Sequence, residues 1–332
     1  MKHFLKTASA AAVLLASFSA SAADIKPSVV FDMGGKFDKS FNEGVYNGLE
    51  KFKSETGIKY REFEVTNEAQ REQAIRRMAK RGSDIVLGIG FAQNDALAKV
   101  AGEYPNAKFA IIDGWATGPN IQAIGFKEHE GSFLVGMVAA LKSKTGVVGF
   151  VGGMDIPLIR RFACGYVQGA KHANSGVKVI QNMTGTTPSA WNDPSRGGEL
   201  TKGQFAQGAD VVFAAAGGTG VGVYQAAKDA GKFAIGVDSN QNHLHPGTML
   251  TSMIKRVDVA AYNTFMDVKK GTWEAKSRYL GLAEDGVGWA IDKHNRALIS
   301  ADMESKVEAA RMAIIAGKIK VHDYMNGNKC NM

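Results

Sequence analysis

Short apolar runs alternate with longer amphipathic segments along most of the chain. Residues 28–31 form an apolar run rich in β-branched side chains. The segment after it places Phe41, Val45, Leu49 and Phe52 at helical spacing, so that they share one face. Because this strand-then-helix order repeats, the pattern predicts two successive series of βαβ units with parallel sheets, which is an α/β protein.

The same periodicities give approximate bounds for each element. Strands are expected at 28–31, 60–65, 84–89, 108–112, 121–126, 147–151, 177–183, 210–214, 233–237 and 249–253, with looser strand patterns at 279–282 and 287–291. Besides the helix that begins near Phe41, helices are expected at 68–81, 94–104, 128–142, 157–173, 197–207, 220–230, 257–270 and 301–316. Residues 24–125 and 126–241 look like equivalent units, so the later strands must extend both sheets.

Several predicted strands end in a glycine or an acidic residue. In open α/β sheets, ligands bind in the crevice beyond the carboxyl ends of the strands. We therefore expect these strand ends to face one crevice: Asp32, Gly90, Asp113, Gly217 and Asp238. Near the first of them, Ser40 and Glu43 have the spacing of a capping box, which predicts Ser40 as the N-cap of the following helix.

Composition and charge narrow the class of protein. A chain of 332 residues, 22% charged and 45% hydrophobic, is typical of about two folded domains. Beyond the N-terminus no apolar run reaches the roughly 18 residues of a membrane helix, which argues against a channel or permease. The net charge is +8, but the densest basic stretch, Arg71 to Arg81, shares one predicted helix with Glu68 and Glu72 and is interpreted as a solvated helix face. We expect no nucleic-acid partner, since that needs a clustered basic patch.

Residues 1–22 have the three parts of a secretory signal peptide. Lys2 and Lys6 lie in the charged start, a short apolar run follows, and Ala20-Ser21-Ala22 is a small-residue cleavage site. No cysteine follows that site, so we expect no lipid anchor and a periplasmic, monomeric protein. Cys164 and Cys330 are the only cysteines, and the sequence leaves open whether they form a disulfide in that oxidising compartment.

Enzyme motifs are absent from the sequence. The glycine-rich stretch 217–222 follows a strand, but it lacks the G-x-G-x-x-G spacing of a dinucleotide site. There is no P-loop, no G-x-S-x-G elbow and no H-E-x-x-H motif, and His243 and His245 lie in a Pro/Gly turn. We expect no catalytic residue, no cofactor and no metal. What remains is recognition of a small polar ring compound by aromatic faces and carboxylates.

The segment 32–44, DMGGKFDKSFNEG, resembles the opening motif of the basic membrane protein family. These are PnrA-type purine-nucleoside receptors, the binding components of ABC importers. Further segments that resemble the family are Gly125-Phe126 with 131–136, 148–153, Arg161-Phe162 with Gly165, 236–241 and 251–256. The likeness covers nearly all of the chain after the signal peptide.

The resemblance implies a type I periplasmic-binding-protein fold, with two doubly wound parallel-sheet lobes joined by a three-strand hinge. It places 24–125 with 242–272 in the N-terminal lobe, and 126–241 with 273–332 in the C-terminal lobe. A membrane permease is the implied partner, and a purine nucleoside is the implied ligand.

Roles for individual residues are likewise implied by the resemblance. Phe41 and Trp191 would stack on opposite faces of the purine, although the family often has a smaller aromatic residue where Trp191 stands. Asp238 and Lys255 would hold the ribose hydroxyls. The remaining expected ligand-binding residues are Asp32, Asp38, Ser40, Asn42, Gly90, Phe91, Asp113 and Gly217.

Other interpretations of these residues stay open from the sequence. Asp38 and Ser40 also fit a role as helix caps alone, and Phe41 has the spacing of a core residue. Asp113 and Asp238 also fit turns, and Lys255 also fits a solvated edge strand. The same residues also fit a free nucleobase, another flat heterocycle or a pentose as the ligand, since aromatic rings stack on sugars as well as on bases. A nucleoside hydrolase would need a carboxylate cluster, for which Asp32, Asp38 and Asp113 are the candidates.

Overall fold

The structure, a computed structural model, describes residues 25–330. The predicted signal peptide therefore lies outside the described residues. Two six-stranded sheets each form the centre of one lobe, and together they confirm the expected two-lobed α/β fold. Within residues 25–330 no helix is both long and apolar enough to cross a lipid bilayer.

The first lobe is built on the sheet of order β11-β5-β4-β3-β1-β2. Its strands are β1 (Pro27–Phe31), β2 (Arg61–Glu64), β3 (Ile85–Ile89), β4 (Lys108–Ile112), β5 (Ile121–Phe126) and β11 (Arg278–Leu280). Its helices are α1 (Phe41–Thr56), α2 (Gln70–Lys80), α3 (Asn94–Glu103) and α8 (Val257–Lys270). All pairings in this sheet are parallel, and β1 and β3 are buried along their whole length because helices cover both faces.

The second lobe has the sheet order β12-β10-β9-β8-β6-β7. Its strands are β6 (Val147–Met154), β7 (Lys178–Gly185), β8 (Val211–Ala215), β9 (Phe233–Asp238), β10 (Met249–Lys255) and β12 (Val287–Trp289). Its helices are α4 (Glu128–Lys142), α5 (Pro157–Ala173), α6 (Pro194–Ala206), α7 (Gly220–Asp229) and α9 (Ala301–Ile315). The edge strand β12 is antiparallel to β10, and the other pairings are parallel.

The sheet membership of two late strands differs from the lobe bounds expected from sequence. Residues 242–272 were expected in the first lobe, yet β10 pairs with β9 in the second sheet, where Met249 and Leu250 are fully buried. Residues 273–332 were expected in the second lobe, yet β11 pairs with β5 in the first sheet. An apolar strand pattern specifies burial but carries no information on which of two sheets the strand joins.

Within residues 25–330 the chain crosses between the lobes three times. The crossings lie between β5 and α4, between β10 and α8, and between β11 and β12. They are bonded to one another, since Lys127 N donates to Leu280 O at 3.0 Å and Arg256 N donates to Gly286 O at 2.9 Å. The hinge is therefore a bundle of three connected segments.

Helices α4 and α5 are in close backbone contact through glycines. A Cβ built on Gly169 would lie 1.8 Å from Phe133 O, and one on Gly136 would lie 2.2 Å from Tyr166 O. Side chains at these positions would force the helices apart. This contact fixes α5, whose first turn reaches the space between the lobes and whose later turns carry a disulfide between Cys164 and Cys330.

The α4–α5 contact predicts the effect of adding one methyl group. Gly169→Ala should lower the free energy of unfolding by about 3 kcal/mol, because the new Cβ meets backbone that has no room to move. Gly203→Ala is the matched control, since Gly203 is exposed in α6 with open space around it and alanine favours a helix. Urea denaturation measures both, and equal effects of the two variants would contradict close packing at Gly169.

Candidate functional site

A cavity lies between the lobes, at the carboxyl ends of both sheets. The predicted residues that line it are Asp32, Asp38, Phe41, Asn42, Gly90, Phe91, Asp113, Trp191, Gly217, Asp238 and Lys255. Ser40, the remaining predicted residue, is fully buried beside it. Strand ends from two separate sheets thus converge because the lobes face each other.

Asp113 and Asp238 occupy equivalent positions in the two lobes. Asp113 follows β4 and Asp238 ends β9, and both have left-handed backbone, with φ of 61° and 64°. Residues other than glycine rarely adopt this conformation, and those that do cluster at ligand sites. Each lobe therefore turns one carboxylate toward the cavity through the same local backbone geometry.

The lobes are closed on each other in this structure. The buried Ser40 hydroxyl donates to Asp238 Oδ2 across the cleft. Beside it, Ser239 Oγ and Gln241 Nε2 both donate to Lys39 O, at 3.0 and 2.8 Å. Burial raises the pKa of Asp238, whereas Lys255 and the Ser40 bond act to lower it. These contacts join the start of α1 to the strand end of the opposite lobe.

Ser40 occupies the N-cap position of α1, as predicted, but its side chain makes no capping bond. Asp38 caps the helix, accepting from the backbone N–H groups of Ser40, Asn42 and Glu43 at 2.8, 3.0 and 3.1 Å. The Ser40 hydroxyl is directed to Asp238 instead, a partner from the other lobe that no local pattern reveals. Burial raises the pKa of Asp38 to about 7, although its three backbone donors act in the opposite direction.

Asp32 is paired from within its own lobe. Arg71 Nε lies 3.2 Å from Asp32 Oδ1, and both side chains are nearly buried. The interpretation of the basic stretch as a solvated face was therefore wrong for Arg71, which turns inward while others in that stretch face solvent. Burial raises the pKa of Asp32, and Arg71 opposes that rise.

Among the described residues that line the cavity, Lys255 alone has a cationic side chain, and it is buried with carboxylate partners. Its Nζ lies 2.5 Å from Asp113 Oδ2 and 2.9 Å from Glu128 Oε1. It is also 5.2, 5.1 and 5.4 Å from the ring centroids of Phe41, Phe126 and Phe162. Burial alone would lower the pKa of Lys255, but the carboxylates raise it, so the side chain stays charged.

Trp191 enters the cavity from the second lobe, at the end of the 3₁₀ turn Pro188–Trp191. Its ring lies on Gly153, where a Cβ would be 2.2 Å from Cζ3. The turn is fixed because Thr184 Oγ1 and Thr219 Oγ1 both donate to Ala190 O, at 3.0 and 2.9 Å. Phe41 lines the same cavity from the first lobe. Phe41 and Trp191 therefore face the same cavity from opposite lobes, and Phe91 and Phe162 also line it.

Some site residues were not identified from the sequence. Gly153 lies in the family-like segment 148–153, but its contact with the Trp191 ring depends on the fold. The apolar lining residues have the same spacing as core residues, so no sequence signal separates them: Met33, Leu158, Ile159, Phe162, Ala215, Ala216 and Val237. Glu128 was also missed, because one acidic residue at a helix start usually has only a capping role.

The charges of the lining limit its ligands. Asp32, Asp38, Asp113 and Asp238 are carboxylates, and the ammonium of Lys255 is already paired with two acidic groups. Such a lining accepts hydrogen bonds from hydroxyl and N–H groups and repels anions. Together with the aromatic side chains of the cavity, this lining suits a neutral or cationic ring compound.

The Ser40–Asp238 bond predicts how strongly one hydroxyl holds the lobes closed. Ser40→Ala should reduce the equilibrium constant for closure roughly 10- to 100-fold, since a hydrogen bond to a carboxylate contributes about 1.5–3 kcal/mol. Small-angle X-ray scattering should show a larger radius of gyration. Ser54→Ala, an exposed serine on the same helix, is the control. An unchanged radius in Ser40→Ala would contradict this role.

The sequence is similar to known substrate-binding proteins of ABC transporters. The model of the Bmp family, described as ABC transporter substrate-binding protein PnrA-like, matches residues 25–324. A CD4+ T-cell-stimulating antigen of Listeria monocytogenes is 33% identical over 324 residues, covering 91% of this chain and 89% of the relative. The ABC transporter nucleoside-binding protein BmpA of Lactococcus lactis is 30% identical over 321 residues, covering 90% and 89%.

A solved structure of a solute-binding protein has the same fold as this chain. The crystal structure of an ABC transporter system solute-binding protein from Aeropyrum pernix K1 superimposes with a TM-score of 0.82 at 30% identity, covering 89% of this chain and 92% of that one. The resemblance seen in the segment 32–44 is thereby confirmed. The chain belongs to the Bmp family of PnrA-like ABC transporter substrate-binding proteins.

Proposed function

We propose that this protein captures a purine nucleoside between its lobes and delivers it to the membrane permease of an ABC importer. The observation that carries the proposal is the cavity itself, where Phe41 and Trp191 face one space from opposite lobes among four carboxylates. The Lactococcus lactis relative, which is named a nucleoside-binding protein, supports the same ligand class.

The two aromatic residues account for binding of the base. A flat purine ring between Phe41 and Trp191 buries both of its faces, and stacking of a base on an aromatic side chain contributes about 1–3 kcal/mol. Carboxylate and amide oxygens around the ring, such as those of Asp32 and Asn42, accept hydrogen bonds from its N–H groups. The Asn42 Oδ1 atom is buried and has no hydrogen-bond partner within the described part of the chain, which leaves it free to accept from a ligand.

The hinge side of the cavity suits the ribose. Asp238 and Asp113 accept from hydroxyl groups, and Lys255 donates to a hydroxyl oxygen. The negative lining disfavours a phosphate, so the proposed cargo is a nucleoside and not a nucleotide. The ligand would stack on Phe41 in the open cleft, and closure would then bring Trp191, Asp238 and the Gly217 backbone onto it as a population shift.

Export and release complete the proposal. The family acts outside the cytoplasm, and the predicted signal peptide at 1–22 is consistent with a periplasmic location. The closed, loaded form would dock on the permease and open there. No covalent bond is made or broken, and conversion of inosine to base and ribose by the purified protein would instead establish a hydrolase.

Stacking predicts a specific loss of affinity. The protein is first unfolded to release any bound ligand and then refolded. Trp191→Ala should weaken its binding of inosine roughly 5- to 150-fold, as measured by isothermal titration calorimetry. Trp115→Ala is the matched control, because Trp115 is 53% exposed and lies outside this cavity. Equal affinity of the Trp191→Ala and wild-type proteins for inosine would contradict the stacking.

The charge of the lining predicts discrimination between nucleoside and nucleotide. Inosine 5′-monophosphate should bind at least about 100-fold more weakly than inosine, since unpaired like charges cost several kcal/mol. Asp238→Asn should reduce this ratio, whereas Asp229→Asn, on the exposed face of α7, should not. Binding of hypoxanthine or ribose alone as tightly as inosine would overturn the nucleoside assignment and keep the transport role.

A further inference from the structure

A chain of buried charges leads from the cavity to the C-terminal segment. Lys255 is shared between Asp113 in the cavity and Glu128 at the first crossing. The other oxygen of Glu128, Oε2, lies 2.9 Å from Arg161 Nη1. Arg161 then forms a two-bonded pair with Asp323, from Nε to Oδ1 at 2.8 Å and from Nη2 to Oδ2 at 3.0 Å. The side chains of Glu128, Lys255 and Arg161 are at most 8% exposed.

Arg161 also holds the backbone of the hinge. Its Nη1 donates to Phe126 O, the last carbonyl of β5, at 2.8 Å. Glu128 comes two residues later, at the start of α4, and Lys255 is the last residue of β10 before the second crossing. The charge chain therefore links two of the three crossings to the cavity.

The segment carrying Asp323 is attached along one face of α5. Arg161, Cys164 and Gln168 are three and four residues apart, so they share that face. Gln168 exchanges two hydrogen bonds with the backbone of His322, at 2.8 and 3.0 Å, and Cys164 is bonded to Cys330. Asp323 is thus held against Arg161 by attachments on both sides of it in the chain.

We infer that Asp323 is a positioning residue for ligand recognition, which acts through Arg161 and Glu128 on Lys255. This inference rests on the proposed function only in assigning Lys255 to the ribose hydroxyls. Glu128 is divided between two cations, and Arg161 is divided between two carboxylates. Removing the charge of Asp323 leaves Glu128 as the one carboxylate paired with Arg161. Because buried charges attract strongly, Glu128 would then turn toward Arg161, and Lys255 would move toward Asp113 and change the hydroxyl-binding face of the cavity.

The test compares two carboxylates beside neighbouring arginines in the full-length mature protein. Asp323→Asn keeps the shape of the side chain and removes its charge. Asp155→Asn is the matched control, because Asp155 forms a two-bonded pair with the adjacent Arg160, both at 2.7 Å, outside the charge chain. Asp323→Asn should weaken inosine binding roughly 2- to 30-fold, the range seen for residues coupled to a site at a distance, and Asp155→Asn should leave it unchanged.

Two further measurements separate positioning from general loss of stability. Binding of 2′,3′-dideoxyinosine should be weakened less by Asp323→Asn than binding of inosine, since the effect acts on the hydroxyl contacts. Asp323→Glu, which restores the carboxylate, should recover most of the inosine affinity. Equal weakening for both ligands, or no recovery with glutamate, would overturn the inference.

An NMR signal tests the chain of buried charges without any nucleoside. The ¹⁵N signal of the Lys255 ammonium, assigned by its loss in Lys255→Gln, should shift in Asp323→Asn and stay in place in Asp155→Asn. If Asp323→Asn does not fold, Arg161→Lys, which keeps the charge and loses the two-bonded geometry, should give the same shift. A constant Lys255 signal would overturn the inference. If the Lys255 signal shifts in Asp323→Asn but the wild-type protein binds no nucleoside, the charge coupling stands and the proposed function is overturned.

Discussion

The closed arrangement of the lobes depends on the burial of one ammonium group. Lys255 sits at the hinge with 2% of its side chain exposed, surrounded by three aromatic rings. An unpaired cation there would cost several kcal/mol, so carboxylates must meet it. Asp113 comes from the first lobe and Glu128 from the crossing between the lobes. The positions of both lobes are thereby tied to a single charge, and the cavity forms around it.

The rest of the cavity follows from the likeness of the two lobes. Each lobe ends a central strand with an aspartate in left-handed backbone, and each contributes two aromatic side chains to the lining of the shared space. The first lobe adds the start of α1, whose hydroxyl at Ser40 bonds to the aspartate of the second lobe. A ligand that touches both halves therefore stabilises contacts that the protein itself already makes in the closed state.

Close backbone contacts support this geometry away from the cavity. The glycines between α4 and α5 bring the helix that carries Arg161 next to the helix that begins with Glu128. Gly153 lets the Trp191 ring lie directly on a strand end of the second sheet. In both places the absence of a Cβ allows the approach, so the ligand-facing side chains are positioned by backbone that has little freedom to shift.

Local sequence was sufficient for features that depend on neighbouring residues. The alternation of short apolar runs with amphipathic helices predicted two α/β lobes, and the polar residues that end the strands predicted where the cavity lies. The family resemblance also followed from short contiguous motifs, above all the segment 32–44. These features depend on side-chain periodicity and on strand polarity, which are written in the order of the residues.

Only the tertiary structure decided the features that depend on partners far apart in the chain. It placed β10 in the second sheet and β11 in the first, turned Arg71 inward to Asp32, and directed the Ser40 hydroxyl to Asp238. It also joined Cys164 to Cys330, a pairing that the sequence left open. Each of these is a choice between partners of similar local chemistry. The choice is made by which groups become buried together when the lobes pack, and no short stretch of sequence contains that information.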